Sequence, residues 1–180
     1  MTGVVLKALN DPDPKVRVAA VRACAAFGPK SKAAVPDLLR LLDDDKVNDP
    51  HQYPAPVVDA LGKIGPEAKA AGPKLLPLLN DPDIERATHA AAALLRIGIE
   101  ETKAVAVFRR ALDSSFRGEM AYIRFRTFDV LELMGPAAKP IAPLLLFIVK
   151  DEKDDKAIRL KAAQILPQLD PKGIDTGKKR

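Results

Sequence analysis

Apolar residues follow helical spacing in segments that short polar corners separate. In IERATHAAAALLRIG (84–98) they recur every three or four positions, which predicts a helix with one buried face. The corner NDPD (80–83) precedes this segment, and its Pro82 blocks continuation of the helix before it. Gly98 follows the last periodic residue, where a helix end most readily accepts glycine. The pattern therefore predicts a pair of helices joined by a tight turn.

The same arrangement recurs along the chain. The letters LNDPD stand at 9–13 and again at 79–83, and four glycines that end predicted helices are spaced 37, 33 and 37 residues apart: Gly28, Gly65, Gly98 and Gly135. Self-similarity at a fixed period is the signature of a repeat architecture, in which each unit hides its apolar face against the next. We therefore predict an all-α solenoid in one domain, 3–170, with five two-helix repeats at about 3–28, 29–65, 66–98, 99–135 and 136–170.

Each repeat contains a first and a second helix. The first helices from repeat two onward are predicted at 34–42, 71–79, 104–112 and 141–149, and the second helices at 15–27, 54–64, 84–98, 122–134 and 157–169. Prolines occupy the same register position in three first helices, at Pro36, Pro73 and Pro143. Because proline suits the first turn of a helix, we expect the regular helix to begin at that position.

Charge and cysteine content place only weak limits on the partners and the location of the protein. Charged residues make up 29% of the 180, and of the net charge of +5 the last ten residues contribute +3. We expect 171–180 to be a disordered basic tail, and the near-neutral remainder does not favour nucleic acid. There is no uninterrupted run of 18 apolar residues, so we expect no membrane span. The single cysteine, Cys24, lies in an apolar setting and is predicted to be buried.

The sequence contains no recognisable catalytic constellation. It has no glycine-rich phosphate loop, no second cysteine for a metal cluster and only two histidines, His51 and His89. We therefore expect neither an enzyme nor a metal or cofactor site. If Met1 is the natural start, the absence of a signal segment indicates the cytoplasm.

Two strings match each other closely, GPKSKAAVPDLLRLL (28–42) and GPEAKAAGPKLLPLL (65–79), and DPDPKVRVAA (11–20) shows how such a unit continues into its second helix. On these strings the units resemble HEAT repeats, of the short kind also found in phycobilisome-lyase-like proteins. The resemblance implies a right-handed α-α superhelix in which the second helices line the concave surface. It is nearly silent about activity, because such repeats serve many tasks.

The resemblance also implies a structural ladder, in which an arginine early in each second helix pairs with an aspartate of a corner. Arg17, Arg124 and Arg159 occupy the arginine slot, and Asp11 is a candidate carboxylate. Pro54 and Ala87 fill the slot in repeats two and three, so the ladder is expected to be interrupted there. We expect the acidic runs DDDK (43–46) and KDEKDDK (150–156) to be solvated.

These features favour a non-catalytic scaffold that binds a protein or peptide and that is a monomer or part of a longer repeat array. By register the candidate contacts lie on the second helices: Arg22, Asp59, His89, Tyr122, Phe125, Arg126, Asp129 and Lys161. Pro56 and Ala92 share the same two register columns and are expected to be exposed with them. Two alternatives remain, a bilin-lyase-like enzyme or enzyme subunit and a nucleic-acid-binding HEAT-like protein.

Repeat four is unusual because SSFRGEMAYIRFRTFD (114–129) contains half of the chain's aromatic residues, interleaved with arginines. Such a cluster either anchors a partner or fills the core where other repeats have smaller residues. The register favours a core position for Phe128 and partial exposure for Phe125.

Overall fold

The computed structural model describes residues 3–47 and 55–170, and within these residues all regular structure is helical. The chain packs as two compact units, Met1–Val107 and Phe108–Arg180, which are described in turn. The predicted tail 171–180 and His51 lie outside the described residues. The prediction of a single domain over 3–170 stays a prediction.

The first unit contains the helices of repeats one to three. They are α1 (Gly3–Ala8), α2 (Pro14–Phe27), α3 (Val35–Leu41), α4 (Pro56–Ile64), α5 (Gly72–Leu75) and α6 (Ile84–Ile97). The second helices form one layer, because α2 packs against α4 and α4 against α6. Seven-residue 3-10 segments, Gly28–Ala34 and Gly65–Ala71, lead into α3 and α5. The boundary between the units falls within α7 (Glu101–Ala111).

The second unit completes repeat four and contains repeat five. Its helices are α8 (Ala121–Met134), α9 (Ala142–Lys150) and α10 (Lys156–Leu169), and the 3-10 segment Gly135–Ile141 leads into α9. Here too the second helices are neighbours, since α10 packs against α8. In addition, α10 packs against α9, the first helix of its own repeat. The register prolines behave as expected: α3, α5 and α9 each begin one residue before the proline.

The repeated LNDPD corner forms the same turn in both places. In the first copy the Asp13 amide donates to Asp11 Oδ1 at 2.9 Å, and the Asp13 carboxylate then caps α2 by accepting from the Lys15 amide. In the second copy Asp81 and Asp83 do the same at the start of α6. Asparagine- and aspartate-based turns and caps of this kind satisfy backbone groups that a helix end leaves open. The phrase repeats because the corner is rebuilt.

All four punctuating glycines have positive φ, as the sequence predicts, but they adopt two conformations. Gly98 is left-handed, with φ 80° and ψ 37°. Gly28, Gly65 and Gly135 combine φ of 54–75° with ψ between −128° and −141°. Each of these three precedes a proline, which disfavours helical ψ values in the residue before it. Glycine then takes the mirror image of an extended conformation, which an L-residue rarely adopts.

Gly62 lies where two second helices of the first unit, α4 and α6, come close together. A Cβ built at Gly62 would lie 2.9 Å from the Cα of Ala93 on α6. Gly62 thus identifies the face of a second helix that meets the following repeat, and Ala93 identifies the face that meets the preceding one.

We expect Gly62→Ala to destabilise the protein by about 1–3 kcal/mol, because the contacted atom is backbone and α4 and α6 must separate. The substitution works against a gain in helix propensity of about 1 kcal/mol. Gly3→Ala is the control, since nothing lies within 4 Å of its added Cβ. Urea denaturation measures both variants. An unchanged or higher free energy of unfolding for Gly62→Ala would show that the helices can part without loss.

One stretch of the described chain, Gly118–Lys150, is long and apolar enough to cross a membrane by length and composition alone. It does not continue as one regular α-helix, because Gly135 has a φ of 56° and a 3-10 segment separates α8 from α9. Several of its large apolar side chains, among them Leu131, Ile141 and Leu145, are fully buried in the second unit. We therefore assign the stretch to two core helices.

Candidate functional site

Three of the eight predicted contact residues lie on the second-helix layer of the first unit. Arg22 on α2 is exposed, while Asp59 on α4 and His89 on α6 are half-buried. Asp59 accepts a hydrogen bond from Lys63 at 2.8 Å and lies 3.8 Å from Arg96 of α6, so it links two repeats. Pro56 and Ala92 are buried. The expectation that they are exposed was wrong, because the closely spaced helices leave only part of each column open.

The other five lie on the second-helix layer of the second unit. Tyr122, Phe125, Arg126 and Asp129 are exposed along α8, and Lys161 on α10 is half-buried. Lys161 donates to Glu132 Oε1 at 2.9 Å, which ties α10 to α8. Sequence reasoning did not single out two large apolar side chains beside them, Leu133 on α8 and Leu160 on α10, which are also exposed. Leu160 occupies the register position of Phe125, which was the available signal.

The aromatic cluster of repeat four divides between core and surface. Phe128 is 0% exposed, whereas Phe125 is 38% exposed, and their rings meet edge to face with centroids 6.5 Å apart. The core assignment of Phe128 and the partial exposure of Phe125 are confirmed. Edge-to-face packing of this kind fixes the ring of Phe125 against the core. The exposed ring of Phe125 is therefore supported by a buried ring beneath it.

The arginine slot of repeat one bonds forward to the next corner. Arg17 donates to Asp44 Oδ2 at 2.8 Å and, through its other terminal nitrogen, to the main-chain oxygens of Asp11 and Pro12. The partner carboxylate is thus Asp44 in the corner of repeat two, and Asp11 contributes its carbonyl. Asp44 lies in the DDDK run, and Asp43 of the same run pairs with Lys74. Asp43, Asp45 and Lys46 are exposed, as expected of a solvated run, while Asp44 is half-buried and joins two repeats.

Repeat four uses the same forward bond in a buried form. Arg124 donates through both terminal nitrogens to the two carboxylate oxygens of Asp154, one of them at 2.7 Å. The side chains are 1% and 3% exposed, against 13% and 24% for Arg17 and Asp44. The hydrogen bonds from Arg124 hold the pKa of Asp154 below its usual range, against the opposing effect of burial. The KDEKDDK corner is mostly exposed, as expected, and the expectation was wrong only for Asp154, which is buried.

The remaining ladder positions bond within their own repeats. Arg159 donates from Nε to the carbonyl oxygen of Val149, which belongs to the helix before it. In repeat three Ala87 fills the slot, as the sequence shows, and is fully buried. The adjacent Arg86 lies 3.1 Å from Asp81 Oδ2 in its own corner. The arrangement is therefore a structural framework rather than a reactive centre.

The comparisons with known proteins agree with this geometry. A family model described as HEAT repeats matches residues 3–96, which is more than half of the chain. The chain belongs to the HEAT-repeat family. HEAT repeats generally serve as scaffolds for protein interaction and are typically non-catalytic.

Solved structures support the same fold. The crystal structure of an engineered protein from the Northeast Structural Genomics Consortium superposes on this HEAT-repeat chain with a TM-score of 0.52, at 21% sequence identity. The match covers 94% of this chain and 80% of the engineered one. At this identity the likeness concerns the fold alone, an all-α solenoid. No curated protein matches the sequence.

A second set of joints between the HEAT repeats escaped sequence reasoning. Asn10 in the first corner donates to Asp37 Oδ1 of the next first helix at 3.0 Å. Asp43 and Lys74 occupy the same two register positions one repeat later and form an ion pair. The same two register positions are in contact in both repeats, but the residue types differ: an amide meets a carboxylate in the first pair, and a carboxylate meets an ammonium group in the second. A search for identical letters could not find it.

Titratable groups of the HEAT core form no reactive cluster in the described chain. No group of three potential metal ligands occurs within 3–47 and 55–170. Cys24 is buried, as predicted, and burial raises the pKa of its thiol. A raised pKa keeps a thiol protonated and therefore poorly nucleophilic.

Proposed function

We propose that this HEAT-repeat chain is a non-catalytic scaffold that binds a protein or peptide segment on the solvent-exposed face of its second helices. We propose that this face is the concave one, as in the HEAT architecture. The main contact is the surface of α8 and α10, which we call the α8–α10 face: Tyr122, Phe125, Arg126, Asp129, Leu133, Leu160 and Lys161. Arg22, Asp59 and His89 lie on the second helices of the first unit and form a separate candidate contact there.

The distribution of exposed apolar side chains is the observation that carries this proposal. Nine large hydrophobic side chains are exposed in the described residues, and four of them lie on the α8–α10 face. Aromatic residues that are partly exposed yet held by packing are typical interaction hot spots, because little conformational entropy is lost when they are covered. Phe125 fits this description through its contact with Phe128.

The charges around the apolar residues indicate the kind of partner. Arg126 and Lys161 stand beside Asp129 and Glu132, and Lys161 is already paired with Glu132. A face with both signs does not attract a polyanion over its whole length. It suits an amphipathic segment whose apolar side chains meet Tyr122 and Phe125 and whose flanking charges are mixed.

A peptide-display selection against the full chain tests the proposal, followed by titration of the selected peptides by fluorescence polarisation. We expect Phe125→Ala to weaken binding by about tenfold or more, in the range of a hot-spot truncation. The peptides should contain apolar residues at helical spacing.

Phe147→Ala is the matched control. Phe147 is also a phenylalanine with a largely exposed side chain, but it lies on α9, a first helix. Its truncation should leave the affinity unchanged. Peptides that lose affinity with Phe147→Ala and keep it with Phe125→Ala would place binding on the other layer and refute the proposal.

A further inference from the structure

The two ends of the described ladder carry complementary charges. Arg159 occupies the slot from which Arg17 and Arg124 reach forward, yet no carboxylate of the described residues lies within ion-pair distance of it. Asp11 occupies the register position of Asp44, and no cation of the described residues is paired with its carboxylate. One end therefore offers a guanidinium and the other a carboxylate oxygen.

The carboxylate at Asp11 is already oriented for such a bond. Asp44 uses Oδ1 to accept from the Lys46 amide in its own turn and gives Oδ2 to Arg17. Asp11 likewise uses Oδ1 to accept from the Asp13 amide. Its Oδ2 therefore corresponds to the oxygen of Asp44 that accepts from Arg17. The corner at Asp11 thus has the geometry of an internal joint.

Apolar positions that are internal elsewhere are also open at these ends. On the face of α2 that would meet a preceding repeat, Phe27 is 45% exposed, although its equivalents Ile64, Ile97, Met134 and Leu169 are at most 6% exposed. On the face of α10 that would meet a following repeat, Ala163 is exposed, although its equivalents are buried: Val21, Val58, Ala91 and Phe128. Both ends show an ordinary inter-repeat surface.

We infer that copies of this chain associate end to end, the α10 face of one copy stacking on the α2 face of another. Arg159 of the first copy then bonds Asp11 of the second, as Arg17 bonds Asp44 within a copy. Phe27 of the second copy packs where α10 exposes Ala163. The partner is a second copy because the two ends match each other in charge and in repeat register. Such a contact is heterologous, so it can continue from copy to copy.

Sedimentation velocity over a range of concentrations tests this inference. The wild-type mass should rise from that of one 19.4 kDa chain toward its multiples as the protein is concentrated. Phe27→Lys blocks one face and Ala163→Lys blocks the other, and each variant alone should stay a single chain. Both positions are exposed, so the melting curves should match the wild type. Arg159→Gln should weaken association by about tenfold or more.

Mixing the two lysine variants is the decisive step. Each retains the face that the other has lost, so the mixture should form a one-to-one dimer and nothing larger. A symmetric dimer of like faces would not be restored by mixing, and that result would overturn the inference. A wild-type chain that stays single at every concentration would overturn it as well.

Discussion

Asp154→Asn is expected to lower the free energy of unfolding by about 3–5 kcal/mol, the usual cost of removing one partner from a buried ion pair. The substitution keeps the shape of the side chain but leaves the Arg124 guanidinium, which is 1% exposed, without a counter-charge. The pair also joins repeats four and five, so α8 and α10 lose a joint together with the charge. Urea denaturation at neutral pH measures the loss.

The Arg17–Asp44 pair supplies a comparison, because it also joins an arginine of one repeat to the next corner, through one hydrogen bond and with greater exposure. Asp44→Asn should cost about 1 kcal/mol, nearer to the value of an exposed pair. Replacing both buried partners, Arg124→Met with Asp154→Leu, should recover much of the stability, since no unpaired charge remains. Equal losses for Asp154→Asn and Asp44→Asn would show that burial does not govern the strength of these joints.

The same substitution should change the dependence of stability on acid. The pKa of Asp154 is lowered by the hydrogen bonds from Arg124, so its contribution is complete above the unfolded carboxyl pKa of about 3.9. It is lost as the pH falls below that value and through the lower pKa of the folded state. Asp154→Asn should therefore show a shallower loss of stability below about pH 4. The slope that remains includes Asp113, whose pKa is held down by hydrogen bonds from Ser115.

Phe128→Ala is expected to destabilise the protein by about 3–5 kcal/mol, because it empties a fully buried ring position in the core of the second unit. The cavity also removes the surface against which Phe125 packs edge to face. Chemical denaturation followed by circular dichroism measures the change.

Phe125→Ala removes an identical side chain three residues away and should cost under about 1 kcal/mol, since that ring is partly exposed. The pair of variants separates the stability role of the cluster from its proposed binding role. Phe125→Ala should weaken peptide binding while the fold persists, whereas Phe128→Ala should weaken the fold. Comparable losses of stability in the two variants would contradict the division between core and surface.

The repeat architecture could be predicted from the sequence because its signals are local and recur in register. Glycine at a positive φ, proline after it and aspartate at a corner each act within a few residues of their own position, as Gly65 and Asp83 show. The two conformations of the punctuating glycines also follow from a local rule, the presence or absence of proline at the next position. Helix bounds differed from prediction by one or two residues for most elements.

The joints between repeats were less predictable because they depend on the relative position of neighbouring repeats in space, which the sequence does not give. Asp154 was grouped with solvated charges, since KDEKDDK has the composition of an exposed loop. Only the packing of α8 against α10 brings that corner under Arg124. The exposed apolar residues Leu133 and Leu160 were missed for a similar reason. Each fits the apolar pattern of a buried helix face in its own helix. That they are exposed on the α8–α10 face is visible only in the packed structure.

Asp44 divides its two oxygens between a local and a neighbouring task. Its Oδ1 accepts from the Lys46 amide and shapes its own turn, and its Oδ2 accepts from Arg17 of the preceding repeat. The corners at 10–13 and 80–83 are likewise closed by hydrogen bonds within their own repeat, or module, which do not depend on the residues of the next one. Tandem duplication or loss of a gene segment that encodes one module would create no unfamiliar junction, so the length of such a protein can change by recombination without redesign of its parts.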